Sequence, residues 1–393
     1  MKSVAVIGIG MSRKTLTAEA LKAISEAEVL LGARRMLDAF SDFGKTSIPV
    51  YLSPDILRTL EEREEQRFAV LFSGDVGFYS GATKLLPALN QYETSVYPGI
   101  SSAVYFFSKC KRAWQNACLV SCHGLDTDIV SPVRRNAETF CLTGGNVEQL
   151  AEALIRAGFG DLMVTIGQRL SYEDERIETI RVKEIPGNVY DSLTVLLIDN
   201  PNPDRRVRSG IPDEEFTRAK VPMTKSEVRA VCLSRLNILP EQICYDVGCG
   251  TGSVTVEMAL AAYKGHVYAF DKKEEAVKLT MENCDRFHIG NVSAFSGLAP
   301  EVFRDKPTPD VVFIGGSSGN LAVIMSELYE RNPQVRFVVT AVSLETVGEA
   351  IKAFQTLGKE ICISEISVSR TKAIAGLHMM DAQNPIFIMS AGE

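Results

Sequence analysis

The stretch that most constrains the fold is Cys244-Tyr-Asp-Val-Gly-Cys-Gly-Thr-Gly252, an apolar run that passes through three alternating glycines into Ser253-Val-Thr-Val-Glu-Met-Ala. Ile243 to Val247 reads as a buried strand, and the glycines let the backbone turn tightly and approach a ligand before a helix begins. That arrangement is a nucleotide-type pocket on a βαβ unit. The dinucleotide fingerprint places two residues between its second and third glycines, whereas Thr251 alone separates Gly250 from Gly252, which disfavours a nicotinamide enzyme. Asp246 would repel a pyrophosphate yet suits a ligand carrying an ammonium and a sulfonium. The next apolar run, His266-Val-Tyr-Ala-Phe270, ends at Asp271, where a carboxylate can accept both hydroxyls of a ribose.

This pair of motifs resembles the doubly wound S-adenosylmethionine-dependent methyltransferases, which implies that Asp246, Gly248, Gly250, Gly252 and Asp271 bind S-adenosyl-L-methionine. A plainer role stays open: the glycines forming only a tight turn, with the aspartates on solvated loop ends.

A chain of 393 residues exceeds one ordinary core, so two domains are expected. With 46% hydrophobic and 23% charged residues and no run long enough to cross a bilayer, the expectation is a soluble protein without a membrane partner. Met1-Lys-Ser-Val-Ala-Val-Ile-Gly-Ile-Gly10 reads as a first strand, not a signal peptide. Nine scattered cysteines point to free thiols in a reducing cytoplasm. Cys118 and Cys122-His123 miss the haem-attachment spacing, and no second pair completes a zinc site, so no metal is expected. A net charge of −7 gives no general footprint for nucleic acid.

The amino-terminal half alternates strand-like and helix-like segments: Val4 to Ile9, then Leu16, Ala20, Ala23, Ile24 and Ala27 at helical spacing, then Val29-Leu-Leu31 and Phe68 to Phe72. Three loops rich in Gly and hydroxyls follow strands, at Ser73 to Gly81, Tyr97 to Ala103 and Leu142 to Asn146, where open α/β sheets bind ligands. The V-I-G-I-G start, the G-D-x-x-F loop, P-G-I-S-S, S-x-H-G at Ser121 to Gly124 and Gln168-Arg169-Leu170 resemble the tetrapyrrole methyltransferases of cobalamin synthesis, in particular those that methylate carbon 5 of the precorrin ring. The resemblance implies a two-lobed α/β fold with S-adenosylmethionine in its cleft, lined by Gly8, Gly10, Gly74, Asp75, Ser101, Ser102 and Thr143. Gly10-Met-Ser12 stands where that family has G-P-G, and Val76 where it has proline. Asp75 could instead bond only its own turn, and Ser101 or Ser102 could only cap a helix starting near Ala103.

Val195-Leu-Leu-Ile198 reads as the last strand of this half, and Asp199 to Pro222, with four prolines and an arginine cluster at Asp204 to Arg208, as a solvated linker without an apolar face. The expected domains are 1–200, a linker 201–220, and 221–393. Thr224-Lys-Ser-Glu227 has the spacing of a capping box, with Thr224 as cap and Glu227 as its partner. Ile361 to Val368 and Asn384 to Met389 are expected to form a terminal antiparallel hairpin.

V-P-M-T-K-x-E-V-R at Val221 to Arg229, D-V-G-C-G-T-G, Gly315-Gly-Ser317, Thr340-Ala-Val-x-Leu-Glu-Thr346 and Asn384-Pro are similar to the enzymes that methylate carbon 15 of the same ring and remove the carboxylate of its ring-C acetate. The two likenesses together imply an α/β chain with an amino-terminal two-lobed tetrapyrrole methyltransferase fold and a doubly wound, Rossmann-like methyltransferase domain. It would bind one S-adenosyl-L-methionine per domain, act on a precorrin-6B-type or cobalt-precorrin ring, yield precorrin-8 and form a homo-oligomer. The family's acidic residue after Gly297 is Leu298 here, so backbone groups would hold adenine. Thr224, Lys225, Arg229, Arg370 and Lys372 are candidate substrate contacts near the pocket rim, solvated cations being the alternative for the four basic ones. Gly315, Gly316 and Ser317 could form a backbone nest for an acetate or propionate. Methyl transfer requires alignment and exclusion of water more than a strong nucleophile, and no catalytic residue is identified; His378 and Tyr245 are open choices of proton donor. A methyltransferase of protein or RNA and a non-catalytic S-adenosylmethionine sensor are the alternatives.

Overall fold

The computed structural model describes residues 1–123, 128–374 and 376–391. Gly124, which closes the S-x-H-G motif, lies outside them. Two compact units form: Met1–Thr127, Asn136–Ala151 and Leu162–Pro201 make one, and Asp128–Arg135, Glu152–Asp161 and Asn202–Glu393 the other.

In the first unit, β1 (Ser3–Gly8), β2 (Val29–Gly32), β3 (Thr46–Ile48), β4 (Arg67–Phe72) and β5 (Glu93–Tyr97) form a parallel sheet in the order β3-β2-β4-β1-β5, its three inner strands apolar and its two edge strands more polar and exposed. Successive strand residues point to opposite faces. Thus Val4, Val6, Phe68 and Val70 join Ile56 and Leu60 of helix Ser53–Glu62 in one core, while Ile7, Ala69 and Leu71 join Ala20 and Ile24 of helix Ala18–Glu26 in another. The second lobe is a mixed sheet of β6 (Cys118–Cys122), β7 (Glu138–Thr143), β8 (Met163–Gln168), β9 (Arg176–Arg181) and β10 (Thr194–Asp199), in the order β6-β7-β10-β8-β9.

The second unit is doubly wound. Its strands are β11 (Ile243–Val247), β12 (His266–Asp271), β13 (Val292–Ser296), β14 (Val311–Ile314), β15 (Arg336–Ala341), β16 (Cys362–Ile366), β17 (Ser369–Ile374), β18 (Leu377–Ala382) and β19 (Ile386–Ala391). Seven of them form a sheet in the order β13-β12-β11-β14-β15-β19-β16, parallel through β15 and antiparallel at β19. Cys244, Val311, Phe313 and Val338 pack with helix Ser226–Leu236 on one face. Their neighbours Tyr245, Val312, Ile314 and Val339 pack with helices Leu321–Arg331 and Leu344–Thr356 on the other. Burial on both faces makes these strands continuously apolar rather than alternating. β16 and β19 pair antiparallel as expected, but a second hairpin, β17–β18, is inserted between them.

Two local expectations fail. The segment read as linker is anchored from residue 210 onward: Ile211 and Phe216 are buried in the core, and the Gly210 and Ile211 amides donate to the Glu257 carboxylate at 2.8 and 2.9 Å. Two apolar residues five apart match neither structural period, so the sequence pattern hides their burial. The helix after it starts at Ser226, with Lys225 at the N-cap and no side-chain cap bond, so Thr224 does not cap it. Glu227 binds Arg370 at 2.5 Å instead of closing a capping box.

Candidate active site

The carboxyl edge of the seven-stranded sheet opens into a cleft of about 830 Å³, wholly within the second unit. β11 carries Asp246 to this edge, and Gly248, with φ +79°, turns the chain away. A Cβ on Gly248 would stand 2.7 Å from the Gly316 amide nitrogen, so the loops after β11 and β14 meet backbone to backbone. The Gly248 amide donates to Phe270 O at 2.8 Å, which ties the glycine loop to the end of β12.

Asp246 is fully buried; its Oδ2 accepts from the Thr255 hydroxyl at 2.5 Å, while its Oδ1 has no protein partner. Burial pushes its pKa up to about 7, nearby Asp271 adds to the rise and the Thr255 bond opposes it. An unmet, buried acceptor facing a cleft is the position a cationic ligand group would occupy. Asp271 accepts from the Gly250 amide at 3.1 Å and the Lys273 amide at 3.0 Å, and so is held over the glycine loop.

Thr224, Lys225, Gly250, Gly297, Gly315, Gly316 and Ser317 also line the cleft, together with Leu298, which is 47% exposed and offers no side-chain hydrogen bond to a base. Four sequence candidates do not line it. Gly252 is the N-cap of helix Ser253–Ala261, and a Cβ there would meet Thr280 at 2.8 Å, so this glycine serves helix packing. Arg229 is fully buried: it pairs with Glu257 at 2.5 Å and Asp213 at 3.5 Å and donates to Thr224 O at 2.5 Å and to Ile211 O. It fixes the wall of the cleft from behind and cannot reach a substrate. Arg370 binds Asp213, Glu227 and Ser226, and Lys372 is exposed on β17. Of the suggested proton donors, Tyr245 is buried with its hydroxyl donating to Pro307 O, and His378 is exposed on β18; neither lines the cleft. Sequence reasoning gave no site role to Ser343, Thr346, Glu349 or Gln383, which reach the far end of the cleft from helix Leu344–Thr356 with its N-cap and from the loop before β19.

In the first unit, Gly8, Gly10, Gly74 and Asp75 form one knot at the carboxyl ends of β1, β4 and β5. Gly10 and Gly74 exchange amide bonds at 3.1 and 2.9 Å, and Asp75 accepts from the Gly77 amide at 2.8 Å and the Gly99 amide at 3.0 Å. Gly99 sits at its centre: a Cβ there would lie 2.3 Å from Gly74 O and 2.5 Å from Gly8 O. Ser101, adjoining Gly74, accepts from the Val104 amide as the N-cap of helix Ser102–Lys109, whose first residue is Ser102. The buried Thr143 hydroxyl donates to Thr194 O at 2.7 Å, within the second lobe.

A doubly wound sheet with a buried carboxylate beside a glycine turn and a second carboxylate one strand over defines the second unit as a methyltransferase of that class. Residues 214–392 match the precorrin methyltransferase domain, and residues 3–186 the tetrapyrrole (corrin/porphyrin) methylases. A probable cobalt-precorrin-6B C(15)-methyltransferase (decarboxylating) of Pyrobaculum calidifontis is 42% identical over 185 residues, 46% of this chain and 95% of its own. A precorrin-6Y C(5,15)-methyltransferase (decarboxylating) of Sinorhizobium is 28% identical over 383 residues, 95% of this chain and 92% of its own. The crystal structure of a precorrin-6Y C5,15-methyltransferase from Geobacter metallireducens is 33% identical, covering 48% of this chain and 98% of its own with a TM-score of 0.45. The chain belongs to the precorrin methyltransferase family.

Proposed function

We propose that this chain methylates carbons 5 and 15 of a precorrin or cobalt-precorrin ring and removes the carboxylate of the ring-C acetate, the step toward precorrin-8 in cobalamin synthesis. The amino-terminal half would act on carbon 5 and the carboxyl-terminal half on carbon 15, each with its own S-adenosyl-L-methionine. The observation that carries the reading is the unpartnered, buried Oδ1 of Asp246 at the glycine turn of the cleft. It fits the ammonium of a methionyl group, while Asp271, held by two amides, fits a ribose diol. The ligand supplies an electrophilic methyl on sulfur. The protein aligns this with the ring and excludes water. The Gly315 and Gly316 amides are taken by Val247 O at 2.9 and 3.3 Å, so of the expected nest the Ser317 amide is the donor for an acid side chain of the ring, and Lys225, 3.7 Å from Asp213, supplies a cation at the rim. In the amino-terminal half, Gly8, Gly10, Gly74, Asp75, Ser101 and Ser102 would shape the second methyl-donor site.

Ile374, Leu377, Met379 and Met380 stand exposed on the β17–β18 hairpin, which supports a homo-oligomer closed over this apolar arm. All nine cysteines are free, in keeping with a reducing, cytoplasmic setting. Among the described residues, no helix is long and apolar enough to cross a membrane.

Titration calorimetry of the full chain should find two S-adenosylmethionine molecules bound, and a stoichiometry of one would remove one half from the scheme. Asp271→Ala should abolish carbon-15 methylation and carbon dioxide release while carbon-5 methylation continues. Mass spectrometry of the product distinguishes these outcomes from joint loss, which would defeat the two-site reading.

A further inference from the structure

The cleft is long enough to have two chemically different ends. Between β12 and β16 lie five inter-strand steps, about 24 Å at roughly 4.8 Å per step. Asp246, Asp271 and Leu298 mark the end proposed for the methyl donor. The far end takes Thr346 and Glu349, one turn apart on helix Leu344–Thr356, and Ile366 from the end of β16. Gln383 and Ile386 reach the same edge because β19 runs antiparallel, with Phe387 opposite Ala341 at the end of β15.

Ionisable groups are few in this cleft. Among the described residues its lining holds no His, Tyr or Arg, and its carboxylates are Asp246, Asp271 and Glu349. Asp246 and Asp271 belong to the glycine-loop end and are engaged there with Thr255 and with the Gly250 and Lys273 amides. Lys272 and Lys273 adjoin Asp271, and Lys225 pairs with Asp213. Glu349 is half-buried and, among the described residues, its side chain makes no hydrogen bond or ion pair. The nearest polar groups on its own helix face are engaged with each other: the Thr346 and Ser343 hydroxyls stand 3.1 Å apart. A free acid therefore stands at the end of the cleft opposite the methyl-donor residues, along a wall that includes Ile366 and Ile386.

Loss of a carboxylate from a side chain has a definite demand. The bond from the methylene carbon to the carboxylate breaks, its electron pair enters the conjugated ring and carbon dioxide leaves. The pair then returns to the methylene carbon, which must take up one proton to become a methyl group. No oxidant or reductant is involved. Resting on the decarboxylating function proposed above, we infer that Glu349 is the catalytic acid that delivers this proton. Its carboxylate is then reprotonated from solvent through the open mouth of the cleft. Lys225, paired with Asp213, holds an acid side chain in place.

The test uses the full chain with S-adenosylmethionine and a precorrin substrate. Glu349→Gln should lower carbon dioxide release about 100-fold while methyl transfer and S-adenosylmethionine affinity each stay within about threefold. The product would then be a methylated ring that keeps its acetate, visible by mass spectrometry. Unchanged carbon dioxide release would overturn the assignment, and so would equal loss of methyl transfer and carbon dioxide release, which would make Glu349 a group that only places the ring. A melting curve establishes that the variant folds; should it not, Glu349→Ala, which also removes the acid, carries the same comparison. Failure of the underlying function looks different: the unmodified chain would bind S-adenosylmethionine yet release no carbon dioxide from any precorrin, which sinks the inference with it.

Discussion

The two glycine-rich regions solve opposite problems. In the first unit, the knot bonds to itself: Gly10 and Gly74 bond each other, and both Asp75 oxygens accept backbone amides. In the second unit, Asp246 is buried deeper than Asp75 yet keeps one oxygen unmet. The first arrangement stabilises the empty protein; the second costs stability until a ligand donor arrives. Similar motifs, each with glycines and one aspartate, therefore carry different kinds of function. One shapes a backbone surface, and the other holds a charge in waiting.

The largest effect should come from breaking the closed knot. Gly99→Ala places a methyl within 2.3 Å of Gly74 O and 2.5 Å of Gly8 O, both backbone atoms that cannot move without opening the sheet. A cost of about 3 kcal/mol or more is expected. Calorimetric melting should show an early transition, carbon-5 methylation should vanish, and carbon-15 methylation should persist.

A comparable loss should follow a cut at the ion pair behind the cleft. Arg229→Met strands Glu257, which has no exposed surface, and releases Thr224 O from its donor. The penalty should be about 3–5 kcal/mol by denaturant unfolding. A loss under 1 kcal/mol would show that the amides of Gly210 and Ile211 suffice to hold the Glu257 charge.

The contrast sharpens at Asp246. Its pKa is raised from 3.8 to about 7 in the fold, so its contribution to stability is fully present below about pH 4 and is lost as pH rises toward 7. Above that, Asp246→Asn should stabilise the ligand-free unit by about 1–2 kcal/mol while weakening S-adenosylmethionine by a similar amount. Stability and affinity should thus move in opposite directions, whereas Asp75→Asn in the knot should lower both. In the unaltered chain, affinity at the carboxyl-terminal site should fall about tenfold between pH 8 and pH 6, because the ligand must first displace the Asp246 proton. A flat pH profile by calorimetry would mean that Asp246 is not the ammonium acceptor.

What the sequence disclosed follows the same division. The turn at Gly248, the buried strand before it and the carboxylate at Asp271 were legible because each depends on a short contiguous run whose pattern has one physical reading. Arg229 was misread because a cation in a helix ordinarily faces water, and nothing local reveals that Glu257, 28 residues on, meets it in the core. Ile211 and Phe216 were lost among prolines for want of a period. The far end of the cleft was invisible for a related reason: Glu349, Ile366 and Gln383 converge only once β19 reverses direction beside β15. Local chemistry is written locally, while sites assembled across a sheet are not.

The smallest effect should lie at the edge of this ionic network, where solvent competes. Arg370 holds Glu227, whose pKa falls from 4.5 to about 2 chiefly through that bond. The sign is opposite to that of Asp246: stability from this pair is present above pH 4.5 and is lost as pH falls toward 2. Both side chains are about a third or more exposed, so screening limits this pair to about 0.5–1 kcal/mol, and buried Asp213, which Arg370 also meets, keeps Arg229 and Lys225 as partners. Arg370→Gln should therefore lower the melting temperature only slightly at pH 7 and flatten the acid limb of the stability curve, leaving methyl transfer nearly unchanged. A large loss of carbon-15 methylation with normal stability would instead return Arg370 to the substrate, as the sequence had placed it.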